Sequence, residues 1–574
     1  MRWRPDWLRG YDRRVAGQDG LAALIVTLML IPQGLAYAML AGLPPQTGLY
    51  ASILPLLAYA AFGSSRTLAV GPVAVVSLMT AAALAPLYAP GSAEYLGAAM
   101  LLALLSALLL FGMALLRLGF LANFLSHPVI SGFISASGLL IAVGQLKHIL
   151  GVPATGQALP ELLAALFEGL PATHLPTLLI GAGSLLFLWW VRAHLKSSLT
   201  GLGVAPALAG NLAKAGPALA ILVAVLLVGA LQLEQAGVAV VGTIPQGLPT
   251  LALPPLDFTL MQQLLPAAAL ISLIGFVESV SVAQTLAAKR RQRIAPDREL
   301  LGLGAANLAA AVSAGMPVTG GFARSVVNFE AGAQTPMAGA LTAVGIALGA
   351  LLLTPWLHDL PQAVLAAAII VAVLGLVDLG ALRQTWRYSR QDGAAQAVTL
   401  AGVLLLGVEV GILLGVGLSL LLFLWRTSRP HMAVVGQLPG SEHFRNILRF
   451  SVVQSASVLS LRVDESLYFP NARFLEERVG ELIVARPEVR HLVLMCSGVN
   501  LIDASALESL EAIAERLHSA GVQLHLSEVK GPVMDQLKRS DFLQRFGGEV
   551  FTSQYEALCA LDPDSTRRAL QQTA

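Results

Sequence analysis

Two charged side chains of this sequence stand in apolar surroundings: Glu278, in LISLIGFVESVSVAQTLAAK, and Arg324, in AGMPVTGGFARSVVNFEAG. A charge in hydrocarbon is expensive unless it is paired or faces water, so each is read first as functional. Arg324 carries a planar fork of donors suited to an oxyanion. The bland alternative makes it an internal partner of Glu330 or Glu278 that only braces the fold. Glu278 is eleven residues before Lys289, which on a helix is about 16 Å from the inner boundary and near the centre of a ~30 Å core. A carboxyl group there can take a proton from one side and release it to the other; its alternative is a permanent ion pair. Gln33 and Tyr37, in LIPQGLAYAMLAGLPP, are one helical turn apart and share a face. A Gln at that depth suggests a polar cavity lining, although either residue could instead bond a neighbouring helix.

The segments that must position these groups are abnormal. After Arg66, the short β-prone run Thr67-Leu68-Ala69-Val70 meets Gly71-Pro72, and the helical pattern VAVVSLMTAAALA follows. Ala314 to Gly332 repeats the arrangement, with Pro317, Gly320 and Gly321 ahead of a short helix. Proline suits the first turn of a helix, and glycine lets backbone approach backbone or ligand. Broken backbone at membrane depth must be buried in protein or line a wet cavity. Such segments in matching places of two halves are the best sequence pointer to a transporter's substrate site. Two half-helix N-termini meeting there present free N–H groups and positive dipole ends, which favour an anion. Kinked packing helices are the alternative.

Of the 574 residues, 56% are hydrophobic and 12% charged, where an ordinary soluble domain carries about 25% charged residues. Before His431 there are 22 Lys/Arg and 16 Asp/Glu; from His431 onward, 14 and 18 in 144 residues. The first part therefore reads as a polytopic α-helical membrane domain and the second as a soluble domain. A net charge of +2 gives no reason to expect nucleic acid. Apolar runs at 20–41, 46–62, 67–88, 94–116, 120–143, 174–191, 216–233, 261–287, 299–314, 316–332, 335–357, 361–377, 392–407 and 409–426 predict fourteen crossings. With residues 1–19 as a cytosolic leader, the inner loops hold Arg2, Arg4, Arg9, Arg13, Arg14, Arg66, Arg117, Arg192, Lys196 and Lys214. They also hold Lys289, Arg290, Arg291, Arg293, Arg298, Arg383, Arg387, Arg390, Arg426 and Arg429, against Lys147 alone outside. This bias puts both termini in the cytosol. The broken segments are third in each set of seven, and the odd repeat length makes the two halves inverted. KRRQR, 289–293, is a topology determinant and a weaker candidate for anionic lipids.

From about 440 the pattern alternates. VLSLRVD (458–464), HLVLMC (491–496) and VQLHLS (522–527) read as strands, NARFLEERVGELIVA and ASALESLEAIAERLHSA as helices. Strands alternating with helices imply an α/β layer domain. Asp503 fits the N-cap of the second helix. The only cysteines, Cys496 and Cys559, read as buried thiols of a reducing compartment. No phosphate-cradling loop, metal-spaced His/Cys set or nucleophile–base motif occurs, so neither an enzyme nor a cofactor is expected.

PQGLAYAMLAGLPPQTGLYAS, GPVAVVSLMT, FVESVSVAQTLAAKRRQ and GMPVTGGFARSVVNFEAGAQTP, in this order and followed by a soluble tail, resemble the sulfate permease (SulP) family of anion transporters. The resemblance implies a fourteen-span, seven-plus-seven inverted repeat over residues 20–430, with spans 1–4 and 8–11 as core and 5–7 and 12–14 as gate. It implies a cytosolic STAS domain at 440–560, with 561–574 as a C-terminal tail, and a homodimer. It places the anion between spans 3 and 10, at Val73 and Ala74 on one side and Gly321, Ala323, Arg324 and Ser325 on the other, with Gln33 and Tyr37 facing it. Ala323 stands where many sulfate carriers have Ser. Arg324 and Glu278 resemble the proton-coupled sulfate carriers, and Val282 offers no oxygen for Na+, which argues against the sodium-dependent bicarbonate carriers. DASAL, 503–507, matches the STAS phosphorylation loop, with Ser505 as the regulatory candidate. The expected function is proton-coupled uptake of sulfate, bicarbonate or a dicarboxylate such as fumarate across the cytoplasmic membrane. An uncoupled exchanger or channel, and a membrane sensor signalling through the STAS domain, are the alternatives.

Overall fold

The computed structural model describes residues 11–571 apart from 124–125, 157, 206–208 and 211–215, and the backbone alone at 123, 217, 218 and 323. Arg2, Arg4, Arg9 and Lys214 lie outside the described residues, as does the side chain of Ala323. The chain forms two units, Met1–Ser419 and Leu420–Ala574.

In the first unit, helices run α1 (Arg13–Leu40), α2 (Gln46–Tyr50), α3 (Leu54–Phe62), α4 (Ala74–Leu84), α5 (Ala93–Leu115) and α6 (His127–Leu150). They continue through α7 (Leu159–Gly169), α8 (Leu175–Trp190), α9 (Lys196–Gly201) and α10 (Gly216–Leu231). The second half holds α11 (Phe258–Lys289), α12 (Pro296–Val312), α13 (Phe322–Glu330) and α14 (Met337–Leu352). α15 (Gln362–Leu374), α16 (Leu379–Tyr388), α17 (Arg390–Leu406) and α18 (Val408–Ser428) complete it. Each of the fourteen expected segments contains a helix, and among the described residues seven helical stretches are long and apolar enough to cross a membrane by themselves. Among the described residues of this unit, three helices, α7, α9 and α16, stand where loops were expected. α7 and α16 are short and amphipathic, and α16 starts on Asp378, whose carboxylate accepts the N–H of Ala381 at 2.9 Å. Its charges hid it within an inner-loop reading.

The helices pack in two groups. α12 lies on α3 and α5, α11 on α5, and α1 on α14; α6 lies on α8, α15 and α17. Buried carboxylates hold the first group at its expected cytosolic end. Glu299 is fully buried and accepts from Tyr59 Oη at 2.7 Å, Ser64 N at 2.8 Å and Ser65 N at 3.0 Å. Asp19, also fully buried, accepts from Gln334 N at 2.6 Å and from the Thr335 hydroxyl. A buried carboxylate with this many donors is stable as an acceptor and expensive to orphan.

The second unit holds a six-stranded sheet in the order β4-β3-β5-β6-β7-β8. Its strands are β3 (Met432–Gln437), β4 (Phe444–Asn446), β5 (Val458–Val463), β6 (His491–Met495), β7 (Gln523–Ser527) and β8 (Val550–Phe551). β3 is antiparallel to its neighbours and the ladder from β5 to β8 is parallel. Alternate residues face opposite sides of a sheet. Leu461, Leu492, Leu494, Leu524 and Leu526 accordingly pack under α19 (Ala472–Val484) and α20 (Ala504–Ser519), while Val458, Val493, Met495 and Phe551 face Leu558. This packed unit extends beyond 440–560 at both ends, through β3 and through the helix Pro563–Gln571, where Gly440 N donates to Ala569 O at 2.9 Å.

Glu549 N donates to His525 Nδ1 at 3.2 Å, which leaves His525 Nε2 to donate to His491 Nδ1 at 3.1 Å. Both rings are therefore neutral, and burial next to His491 pushes His525 down to about 4. Burial pushes the Cys496 thiol up to about 12, so it is inert. Asp503 caps α20 by accepting Ala506 N at 2.9 Å and also accepts Phe469 N at 2.8 Å.

Candidate functional site

The two broken segments meet. β1 (Val70–Gly71) and β2 (Thr319–Gly320) pair antiparallel, with Val70 opposite Gly320 and Gly71 opposite Thr319. α4 begins three residues after β1 and α13 two residues after β2, so both helices start at the crossing. A two-stranded ladder this short is not stable alone. Buried side chains from the surrounding helices complete it. Asn307 of α12 brackets Val318, accepting its N–H at 3.0 Å and donating to its carbonyl at 2.9 Å. Asn328 donates to Thr67 O at 3.0 Å.

α11 contributes a chain whose proton order is determined by its ends. Gly320 N–H donates to Ser279 Oγ at 2.9 Å. Thr319 Oγ1 donates to the Gly275 carbonyl at 2.7 Å. The 2.8 Å contact between Ser279 and Thr319 therefore runs from the Ser279 hydroxyl to Thr319. Gly275 permits the approach: a Cβ there would lie 2.9 Å from Thr319 Oγ1.

Arg324, in the first turn of α13, is 2% exposed. Nη1 and Nη2 are both buried and make no hydrogen bond, so neither nitrogen is hydrogen-bonded to Glu330 or Glu278. The guanidinium occupies space left by two glycines. A Cβ on Gly71, whose φ is +155°, would lie 2.7 Å from Nη1; one on Gly321 would lie 3.2 Å from Nε and Nη2. At Gly71 only glycine combines that backbone with that clearance. Tyr37 of α1 and Glu278 of α11 are within electrostatic reach of Arg324, and the Glu278 Oε2 is buried without a hydrogen bond.

The structure thus brings together Tyr37, Glu278, Arg324, Gly321 and Val73, whose Cγ1 would be 2.9 Å from a Cβ at Gly321. Ala74 opens α4 and is buried. Gln33 is half-buried on α1, one turn before Tyr37. Ser325 departs from its expected role. Its hydroxyl is fully buried, accepts Ala69 N at 3.0 Å and donates to Gly321 O at 2.7 Å, so it ties the two segments together instead of offering a donor to a ligand. Ser505 is exposed at the start of α20 in the second unit. Sequence reasoning missed Ser279, Asn307, Thr319 and Asn328. The available signal was an Asn or a Ser amid apolar residues of a crossing, which is costly unless satisfied.

Residues 17–399 match the model of the sulfate permease family, and residues 449–557 that of the STAS domain. The chain belongs to the sulfate permease family. Over 559 residues it is 36% identical to the probable sulfate transporter 4.2 of Arabidopsis thaliana, covering 95% of this chain and 81% of that one. It is 33% identical over 555 residues to a probable sulfate transporter of Mycobacterium tuberculosis, with 95% of each chain covered. Murine Slc26a9, an anion transporter solved in the inward-facing state, shares the fold at a TM-score of 0.86 and 23% identity, covering 97% of this chain and 93% of that one. The transmembrane domain of a cyanobacterial bicarbonate transporter, BicA, aligns at a TM-score of 0.59 and 20% identity over 71% of this chain and 98% of its own. As a member of the family, this multi-pass protein is a sulfate-permease-type anion transporter with a C-terminal STAS domain.

Proposed function

We propose that this protein takes up sulfate, or a small anion like it, in symport with protons across the cytoplasmic membrane. The observation that carries the reading is Arg324: a buried cation with two unused nitrogens, placed at the start of one half-helix and against the strand that leads into another. An oxyanion offers both the charge and the paired acceptors that this fork lacks. The starts of α4 and α13 add dipole ends of the same sign. Glu278 supplies the coupling. Without an anion, Arg324 is its counter-charge; an anion that engages Arg324 removes that compensation and favours the protonated carboxyl. The core would comprise α1–α5 and α11–α14 and the gate α6–α10 and α15–α18, in keeping with the two packing groups. Transport would proceed by the core moving past the gate, with the STAS domain cytosolic.

The test is uptake of labelled sulfate, bicarbonate and fumarate into proteoliposomes, each with and without an inward proton gradient. Stimulation of one anion by the gradient, lost in Glu278→Gln, is expected. Uptake indifferent to protons but driven by an opposing anion would make this an exchanger and return Glu278 to bracing.

A further inference from the structure

Glu278 has a second neighbourhood besides Arg324. It is the sole residue with a polar side chain among the described residues lining a narrow slit between α11, α6 and α18. The opposing walls are hydrocarbon: Ile130, Phe133 and Ile134 from α6 and Ile412 from α18, with Val277 beside Glu278 on α11. Phe133 is 2% exposed and Ile412 3%. A water molecule needs two to four polar partners to reside in such a space, and the lining side chains offer only the carboxyl itself. Among the described residues, the charged or titratable groups within electrostatic reach of Glu278 are Arg324 from α13 and Tyr37 from α1. α6 places none in the slit, and on α18 Glu409, three residues before Ile412, is not among the lining residues.

We infer that this dry slit enforces the coupling: the gate residues Ile130, Phe133, Ile134 and Ile412 refuse an ionised Glu278 that has lost Arg324 as counter-charge. The inference rests on the proton-coupled reading and adds the device that makes it strict. Burying a carboxylate against hydrocarbon without a partner is heavily penalised. An empty carrier can meet the slit with Glu278 compensated by Arg324. A loaded carrier, whose arginine is occupied by the anion, can meet it only with Glu278 protonated. No bond to the anion is involved, so the slit residues act on which loaded state can move and not on what binds. A polar side chain in the slit would give the bare carboxylate a partner, and anions would then cross without their proton.

The experiment uses full-length protein in proteoliposomes, with labelled anion uptake and intravesicular pH followed together. Ile134→Asn and Ile412→Thr introduce a donor from different helices; Ile134→Leu changes shape without polarity. Ile134→Asn should retain anion binding and downhill uptake while gradient stimulation falls about tenfold, the effect of one hydrogen bond to a charge. Ile412→Thr should shift in the same direction, and Ile134→Leu should remain coupled. Tight coupling in both polar variants, with melting temperature and anion affinity as in the wild type, overturns the inference and leaves the role of Glu278 intact. A leak of equal size in Ile134→Leu overturns it as well, since packing would then be the cause. A wild-type protein indifferent to the proton gradient overturns the coupled reading itself and the slit with it.

Discussion

The described residues hold two β-sheets that are built in opposite ways. In the tail, β5, β6 and β7 pair through ladders of five residues, and most of the binding free energy of the sheet is spread over backbone bonds and the two apolar faces. In the membrane unit, β1 and β2 pair over two residues each, and the bonds that hold them come from Ser279, Asn307, Ser325, Thr319 and Asn328. The tail sheet can lose one side chain and keep its ladder. The membrane crossing has almost no ladder to keep, so its geometry depends on single hydroxyls and amides, at the place where Arg324 is displayed. Single substitutions should therefore act on function at the crossing and on stability in the tail.

The largest expected effect is that of Arg324→Ala. Removing the guanidinium should weaken anion binding by about 100-fold or more, as for loss of one member of a desolvated charge pair; titration of sulfate into the purified protein reads it directly. Unchanged affinity would take Arg324 out of the site. Gly71→Ala should come next, because the added carbon meets Nη1 at 2.7 Å and displaces the guanidinium; a tenfold or greater loss is expected from the strain, with little change in the tail's unfolding.

Thr319→Val keeps the shape and removes the hydroxyl that links Ser279 to Gly275. The Ser279 hydroxyl loses its acceptor and the Gly275 carbonyl one of its two donors, at about 1–3 kcal/mol, and both melting temperature and anion affinity should fall. Thr319→Ser should restore both. A Val variant that lost stability but bound the anion normally would separate the crossing from the site.

How much of this was legible differs between the two sheets. The broken segments could be read from Gly71-Pro72 and Pro317 with Gly320 and Gly321, since these residues interrupt an apolar run. Arg324 and Glu278 were legible for the same reason, as charges without company. Ser325 entered the site only through the family resemblance, and only the contact with Ala69, 256 positions away, shows that its hydroxyl is already used. Ser279 and Thr319 are 40 positions apart; nothing local distinguishes them from packing residues. The apolar walls of the slit are unreadable in principle, because an Ile facing Glu278 and an Ile facing lipid share one sequence pattern. In the tail, the long central strands were plain from their runs. β3 was hidden by following directly on the last crossing, and β4 and β8 by having three and two residues.

The tail should show a smaller effect, in stability alone. His525 has its folded value near 4, below the ordinary 6.5, so the unfolded chain takes up a proton between these values while the folded one does not. Stability is complete above about pH 6.5 and falls as pH drops toward 4, by roughly 2 kcal/mol at pH 4.5. Hydrogen exchange at β7 amides in the full-length protein, corrected for intrinsic rates and compared with His525→Gln, measures it; equal pH profiles would assign the loss to other groups. The smallest effect is expected for Ser505→Ala. The side chain is exposed at the start of α20, and stability should change by no more than about 0.5 kcal/mol. A marked change in uptake would instead point to regulation through the STAS loop.

The room that Arg324 occupies is a mould, and the mould is made of missing carbon. Gly71 and Gly321 contribute to the site by contributing nothing, which gives the crossing a one-sided tolerance: it can lose atoms around the guanidinium and still receive it, but it cannot gain one. A genetic screen at these two positions should therefore be lopsided: every substitution adds a carbon, and transport should fall with each, more steeply at Gly71 than at Gly321.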